Sequence, residues 1–150
     1  MNIIFNYDKE NYKASCIIED KNIIGIGNAT CHPDDVEYVS ENIGCHIAEQ
    51  RAKIHFLQNR RECSFKPALE ALNHLYSTMI QSRNFNQHSY EAKRIRKEIK
   101  NLKNEIQKTN NLIINIQTHL KDYIDYKDKF NQLYNTKNRI KNKEITENEI

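Results

Sequence analysis

Two Cys-His pairs draw attention first: Cys31-His32 and Cys45-His46, 14 residues apart within NATCHPDDVEYVSENIGCHIAEQRAK, residues 28–53. Cys and His are the usual ligands of tetrahedral zinc, and a Cys next to a His is also how thiol nucleophiles are activated. The spacing opposes both uses. Neighbouring side chains diverge by about 100° on a helix and point to opposite faces on a strand, so two adjacent pairs converge poorly on one ion. A reactive thiolate needs an electropositive, partly exposed setting, whereas Asp34 and Asp35 beside Cys31 raise a thiol pKa. The plainer reading is small buried cysteines with surface or hydrogen-bonded histidines. The chain also lacks a Gly-rich phosphate loop, HExxH, GxSxG and distinctively spaced carboxylates. No catalytic residue, metal ligand or cofactor is therefore expected, and the chain reads as a non-enzyme.

A second group has different chemistry. Arg83, Asn84, Phe85, Asn86, Tyr90, Arg94 and Arg96 fall within 14 residues, and Lys93, Lys97, Lys100 and Lys103 make the same stretch the most basic in the chain. Arginine offers bidentate geometry to phosphate, and an aromatic ring stacks on a base. Arg51, Lys53, Arg60 and Arg61, further back, add to this group if their helix meets it. The bland alternatives are a solvated basic helix face and, for Arg51, an ion pair with a neighbouring Glu.

The elements that must position these residues follow from composition and periodicity. All three glycines and both prolines lie in the first 67 of 150 residues, which separates a folded head from an uninterrupted tail. Net charge divides likewise: residues 1–62 carry seven Lys/Arg against ten Asp/Glu, and residues 63–150 carry sixteen against ten. In the head, Ile3-Ile4-Phe5, the alternating Tyr12, Ala14, Cys16 and Ile18, and Ile23 to Ala29 predict three short strands, with a polar turn at 19–22. The period then changes to 3.6. Val36, Val39, Ile43, Ile47, Ile54 and Leu57 form one stripe of a helix that begins near Asp34, where Pro33 precedes an Asp34/Glu37 capping box, or at Ser40, and runs to about Arg61. Gly44, Ala48 and Ala52 recur every four residues and predict a close-packing face. Ser64-Phe65-Lys66-Pro67 predicts a break. A second helix follows with Leu69, Leu72, Leu75, Tyr76 and Met79, ending near Ser82, and then a polar loop over 83–89.

From Tyr90 the pattern is heptad: Ile95, Ile99, Leu102, Ile106, Thr109, Ile113, Ile116, Leu120, Tyr123, Lys127, Phe130 and Tyr134. Forty such residues span roughly 60 Å, so the seam must pack against another long helix, and Thr109 with Asn110-Asn111 marks a specific register or a bend. The expected fold is α+β: an antiparallel β-meander and two helices over 1–89, then a long helix or helical hairpin over 90–150 making coiled-coil oligomer contacts. With only 38% hydrophobic residues, no Trp and a mean hydropathy of −0.85, the core is thin, and a homo-oligomer is the economical explanation. Four widely spaced cysteines read as thiols. No apolar run approaches a membrane span and no signal peptide is evident, so a cytoplasmic location without membrane contact is expected.

The strands followed by GIGNATCHPDDVEYVSENIGCHIAEQRAKI resemble the N-terminal module of small phage proteins, in which a C-[HS]-P-[DE]-D turn leads into a helix with a G-x-x-[IL]-A-x-x-R-A segment. The matching residues are Cys31, Pro33, Asp34, Asp35, Gly44, Ile47, Ala48, Arg51 and Ala52. With long helices after that module, the chain is similar to the phage-encoded Thoeris anti-defence sponge proteins of the first described type. The resemblance implies a protein of the host cytoplasm that captures, without degrading it, a cyclic ADP-ribose-type signal made by a host TIR-domain protein. It further implies dimers assembled into hexamers, and in some members separate sites for cyclic oligonucleotides. The resemblance assigns no residue of this chain to the ligand; residue type alone offers Arg51, Arg83, Arg94 and Arg96 to hold phosphates, Phe85 to stack on adenine, and Asn84 or Asn86 to read a base or ribose edge. The alternative is a coiled-coil phage protein that inhibits a host protein or binds nucleic acid through its basic tail.

Overall fold

The computed structural model describes residues 1–31 and 41–148, with side chains through Lys129. Three strands, β1 (Asn2–Asp8), β2 (Lys13–Asp20) and β3 (Ile23–Thr30), form an antiparallel meander in the order β1-β2-β3. Lys21 and Asn22, both at positive φ, make a two-residue turn between β2 and β3, the geometry whose twist suits a tight hairpin. Between β1 and β2 the Asp8 carboxylate accepts the backbone N–H groups of Glu10 and Asn11 and the side-chain amide of Asn11.

Strand alternation puts Ala14, Cys16 and Ile18 of β2 and Gly25, Gly27 and Ala29 of β3 on one face, and that face lies on helix α1 (Glu41–Arg60). Small residues set the separation. A Cβ on Gly27 would run into the backbone of Ala48, Arg51 and Ala52, and one on Gly25 into Ala52 and Phe56. Ala48, Ala52 and Phe56 close this core, so the close-packing face expected from the four-residue repeat is where β3 and α1 meet. Gly44 sits at its rim, beside Ala14 and Tyr7.

The expected break at Ser64-Phe65-Lys66-Pro67 does not occur. A π-helical segment (Arg61–Phe65) carries α1 straight into α2 (Lys66–Ile80), with Pro67 in the first turn of α2 and the Lys66 N–H reaching back five residues to the Arg61 carbonyl. Pro67 has no N–H to give, and a wider turn just before it accommodates the missing bond without ending the helix.

After a turn at residues 81–89, helix α3 (Tyr90–Asn148) returns antiparallel along α2 and α1. Arg96 meets Tyr76, Arg61 donates to the Asn110 side-chain oxygen at 2.7 Å, and the His46 and Tyr123 rings lie 4.8 Å apart, marking three levels of one hairpin. The heptad positions are its seam. Thr109, Ile113 and Leu120 are buried, the other seam residues from Ile95 to Lys127 are half-buried, and Leu112, Ile114 and Tyr126 off the seam are exposed. Thr109 satisfies its hydroxyl on the Glu105 carbonyl. Of the two expectations for Asn110-Asn111 the register fits, because Asn110 is paired and α3 is unbroken there.

The Pro33-Asp34-Asp35 corner, the capping box, His32, Val36, Val39 and Ser40 lie outside the described residues, as do the side chains of Phe130 and Tyr134. Among the described residues no helix is long and apolar enough to cross a membrane.

Candidate functional site

Six of the seven residues singled out for binding gather at the closed end of the hairpin. Arg83, Asn84 and Asn86 are exposed in the turn, and Phe85 is half-buried with its ring edge-on to Tyr76 at 6.2 Å. The turn folds by short-range bonds: Phe85 N–H donates to the Ser82 carbonyl, and His88 N–H to the Asn86 side-chain oxygen. Ser89 then caps α3 by accepting the Ala92 N–H, as its hydroxyl suits.

Arg96 has a different position from the one its charge suggested. Its guanidinium donates to the Tyr76 hydroxyl at 3.0 Å and to the Gln87 carbonyl at 2.6 Å, and lies over the Tyr76 ring. It ties the turn to both helices, which leaves it little capacity for a ligand. Arg94, two residues earlier and on another face, is two-thirds exposed and makes one ion pair, with Glu98. Together with Tyr90, Lys93, Lys97 and Asn101 it lines a shallow depression of about 430 Å³. Tyr90 is 72% exposed. The spacing of residues 90, 93, 94 and 97 is that of one helix face, a signal present in the sequence that picks out Tyr90, Lys93 and Lys97 as companions of Arg94 better than proximity along the chain does.

Arg51 does not join them. It lies on α1, roughly 40 Å along the helix from Ile80, where the turn begins, at about 1.5 Å per residue, and donates to the Asn28 carbonyl of β3 at 2.6 Å. This is a structural bond, and it is not the ion pair with a neighbouring Glu that was its plain alternative. Lys53 pairs with Glu49, Arg60 lies over the Phe65 ring, and Arg61 binds Asn110 and Glu62, so these basic residues of the first helix are also engaged away from the turn.

No protein-family model, curated protein or solved structure matches this chain. The site is therefore read from its own residues.

The Cys-His pairs divide between structural settings. Cys45 is half-buried against the sheet core, and burial, reinforced by Glu41, pushes its thiol pKa up. Burial does the same to Cys16. A thiol held protonated is a poor nucleophile and a poor ligand. The His46 ring packs at a tilt against Tyr123 across the hairpin. Among the described residues no three His, Cys, Asp or Glu side chains converge, and no disulfide links the cysteines.

Proposed function

We propose that the closed end of the hairpin binds an anionic nucleotide-like molecule, and that the protein acts as a phage anti-defence sponge that sequesters a cyclic ADP-ribose-type signal in the host cytoplasm without degrading it. The observation that carries this reading is the joint exposure of cations, amides and an aromatic ring on one end of the molecule: Arg83, Asn84, Asn86, Tyr90, Lys93, Arg94 and Lys97. Cations meet the phosphates, the Tyr90 ring offers a base a stacking surface, and the turn amides offer hydrogen bonds to a ribose or base edge. Phe85 and Arg96 support the turn from beneath. Binding without turnover is the mechanism this reading assigns to the site. A homo-oligomer belongs to the same reading. It is supported by Leu75 and Ile80 of α2 and Leu112 and Ile114 of α3, large apolar side chains left exposed along the arm.

Isothermal titration of the purified chain with cyclic ADP-ribose isomers, then release of the ligand by heat, tests the proposal. The expected result is saturable heat, recovery of the intact molecule, and a loss of affinity of about tenfold or more in Arg94→Ala, because a charge-assisted contact contributes about 1.5–3 kcal/mol. Absence of heat, or recovery of a chemically altered molecule, sinks it.

The second reading, inhibition of a host protein or nucleic-acid binding through the basic helix, is favoured by the exposed cations Lys93, Lys97 and Lys100 on α3. Salt separates the two, since contacts to a phosphate backbone weaken steeply with ionic strength.

A further inference from the structure

The two edges of the sheet are treated oppositely. Along β3, three outward backbone groups are held by one row of α1 side chains: the Arg51 guanidinium donates to the Asn28 carbonyl, His55 Nδ1 accepts the Ile26 N–H at 3.0 Å, and the Asn59 amide donates to the Ile24 carbonyl at 2.7 Å. Residues 51, 55 and 59 are one helical turn apart, so a single face of α1 engages one outward group on each of Ile24, Ile26 and Asn28.

Among the described residues nothing comparable covers β1. Because Ile24, Ile26 and Asn28 point their polar groups away from β2, alternation makes their cross-strand partners Glu19, Ile17 and Ser15 bond toward β1, where they face Asn2, Ile4 and Asn6. The N–H and C=O groups of Ile3, Phe5 and Tyr7 therefore point off the sheet. Among the described residues no group bonds to them. Ile3, Ile4 and Phe5 are also exposed at 40%, 56% and 48%, and no charge lies between Asn2 and Tyr7. An open, uncharged, apolar edge is a template for another strand.

We infer that β1 is a dimerisation strand, pairing antiparallel with β1 of a second copy of this chain about a two-fold axis at Ile4. The strand reads Asn-Ile-Ile-Phe-Asn over residues 2–6, nearly the same in both directions. Pairing about Ile4 therefore sets Asn2 against Asn6, Ile3 against Phe5 and Ile4 against Ile4, like against like. The Ile4-Ile17-Ile26 row, aligned across the three strands, becomes a row of six isoleucines across a six-stranded sheet. The α1 side chains bonded along β3 oppose addition of a strand there, so pairing through the sheet stops at two copies and does not grow into a filament. The pairing depends on no ligand and stands or falls separately from the sponge reading.

Sedimentation velocity on the full chain, with Phe5→Pro as the first variant, tests the inference. The Phe5 N–H faces off the sheet, so proline there removes an inter-copy bond and none within the chain. The wild type is expected to sediment as two 17.8 kDa chains, and Phe5→Pro as one with an unchanged circular dichroism spectrum. Ile4→Cys, in a Cys63→Ser background, provides a readout that does not need the proline variant to fold. Ile4 meets its own copy at a position without ladder bonds, where Cβ atoms are about 4.5–5.5 Å apart, so mild oxidation links two chains. Asn6→Cys in the same background, displaced from the axis, does not link. A monomeric wild type, a dimer that persists in a folded Phe5→Pro, or equal linking at residues 4 and 6 overturns the inference; a monomer whose β1 captures a peptide of another protein is one such outcome.

Discussion

The β-head and the distal arm are built on opposite packing principles. In the head, small residues let β3 and α1 touch backbone to backbone, and seven residues form one buried cluster. In the arm, α2 buries no residue fully, and its Leu69, Leu72, Tyr76 and Met79 meet α3 through large, half-buried side chains. A contact set by backbone approach has no slack, because nothing in it moves except the chain itself. A contact made by long side chains adjusts by rotamer. The head therefore holds one geometry, while the arm tolerates change and presents its end to a partner.

The largest test of that contrast is Gly27→Val. Its Cβ enters space held by α1 backbone, so a loss of about 3 kcal/mol or more is expected in urea unfolding. Ala71→Leu, in the open apolar groove between α2 and α3, should change stability by less than about 0.5 kcal/mol. A tolerated Gly27→Val would end the comparison. Next comes Phe56→Ala, expected to cost about 3 kcal/mol, against roughly 1 kcal/mol for Leu72→Ala, which is only half-buried; the difference between their thermal midpoints is the measurement. A smaller effect sharpens the register of the hairpin. A double-mutant cycle on Arg61→Ala and Asn110→Ala should give a coupling near 1 kcal/mol, and no coupling would mean that the seam alone fixes the pairing.

The smallest effect concerns the β1–β2 turn. Hydrogen bonds from the Asn11 side chain and then its backbone hold the Asp8 carboxyl below its ordinary pKa of 3.8. The ionised form is thus favoured by folding, and the stabilisation is complete above that value and lost as pH falls through the lower folded pKa. Urea midpoints of wild type and Asp8→Ala should differ at neutral pH and converge well below 3.8. A gap that stays constant would mean that the turn is held without the charge.

Much of this was legible in the sequence, for reasons particular to each element. Alternation in β2 identified Ala14, Cys16 and Ile18 as the inward set, because a sheet with one covered face imposes a period of two. The heptad from Ile95 to Lys127 marked the buried seam of α3 but not its partner, since periodicity says that a face is covered and not by what. The intrachain hairpin was hidden by Pro67, which reads as a stop and is instead absorbed by a π turn. At the candidate site, residue type pointed to the closed end of the hairpin. It did not separate Arg96 and Arg51 from the others, because a guanidinium that ties down a carbonyl looks, in sequence, the same as one waiting for a phosphate. The Asn28 and Gln87 carbonyls they meet carry no signal at all.

The π-helical turn at Arg61–Phe65 also governs rotation. One surplus residue per turn advances every side chain beyond it by about 100° around the helix axis. Upstream, α1 must divide its circumference between the sheet and α3; downstream, α2 has only α3 to face. The widened turn resets the azimuth between these two tasks, so the limb keeps phase with its neighbour along its whole length. Removing a single residue from this segment would return it to α-helix and leave Leu69, Leu72, Tyr76 and Met79 facing α3. Winding all five residues as α-helix would instead swing them away and release Arg96 from the ring that holds the turn in place.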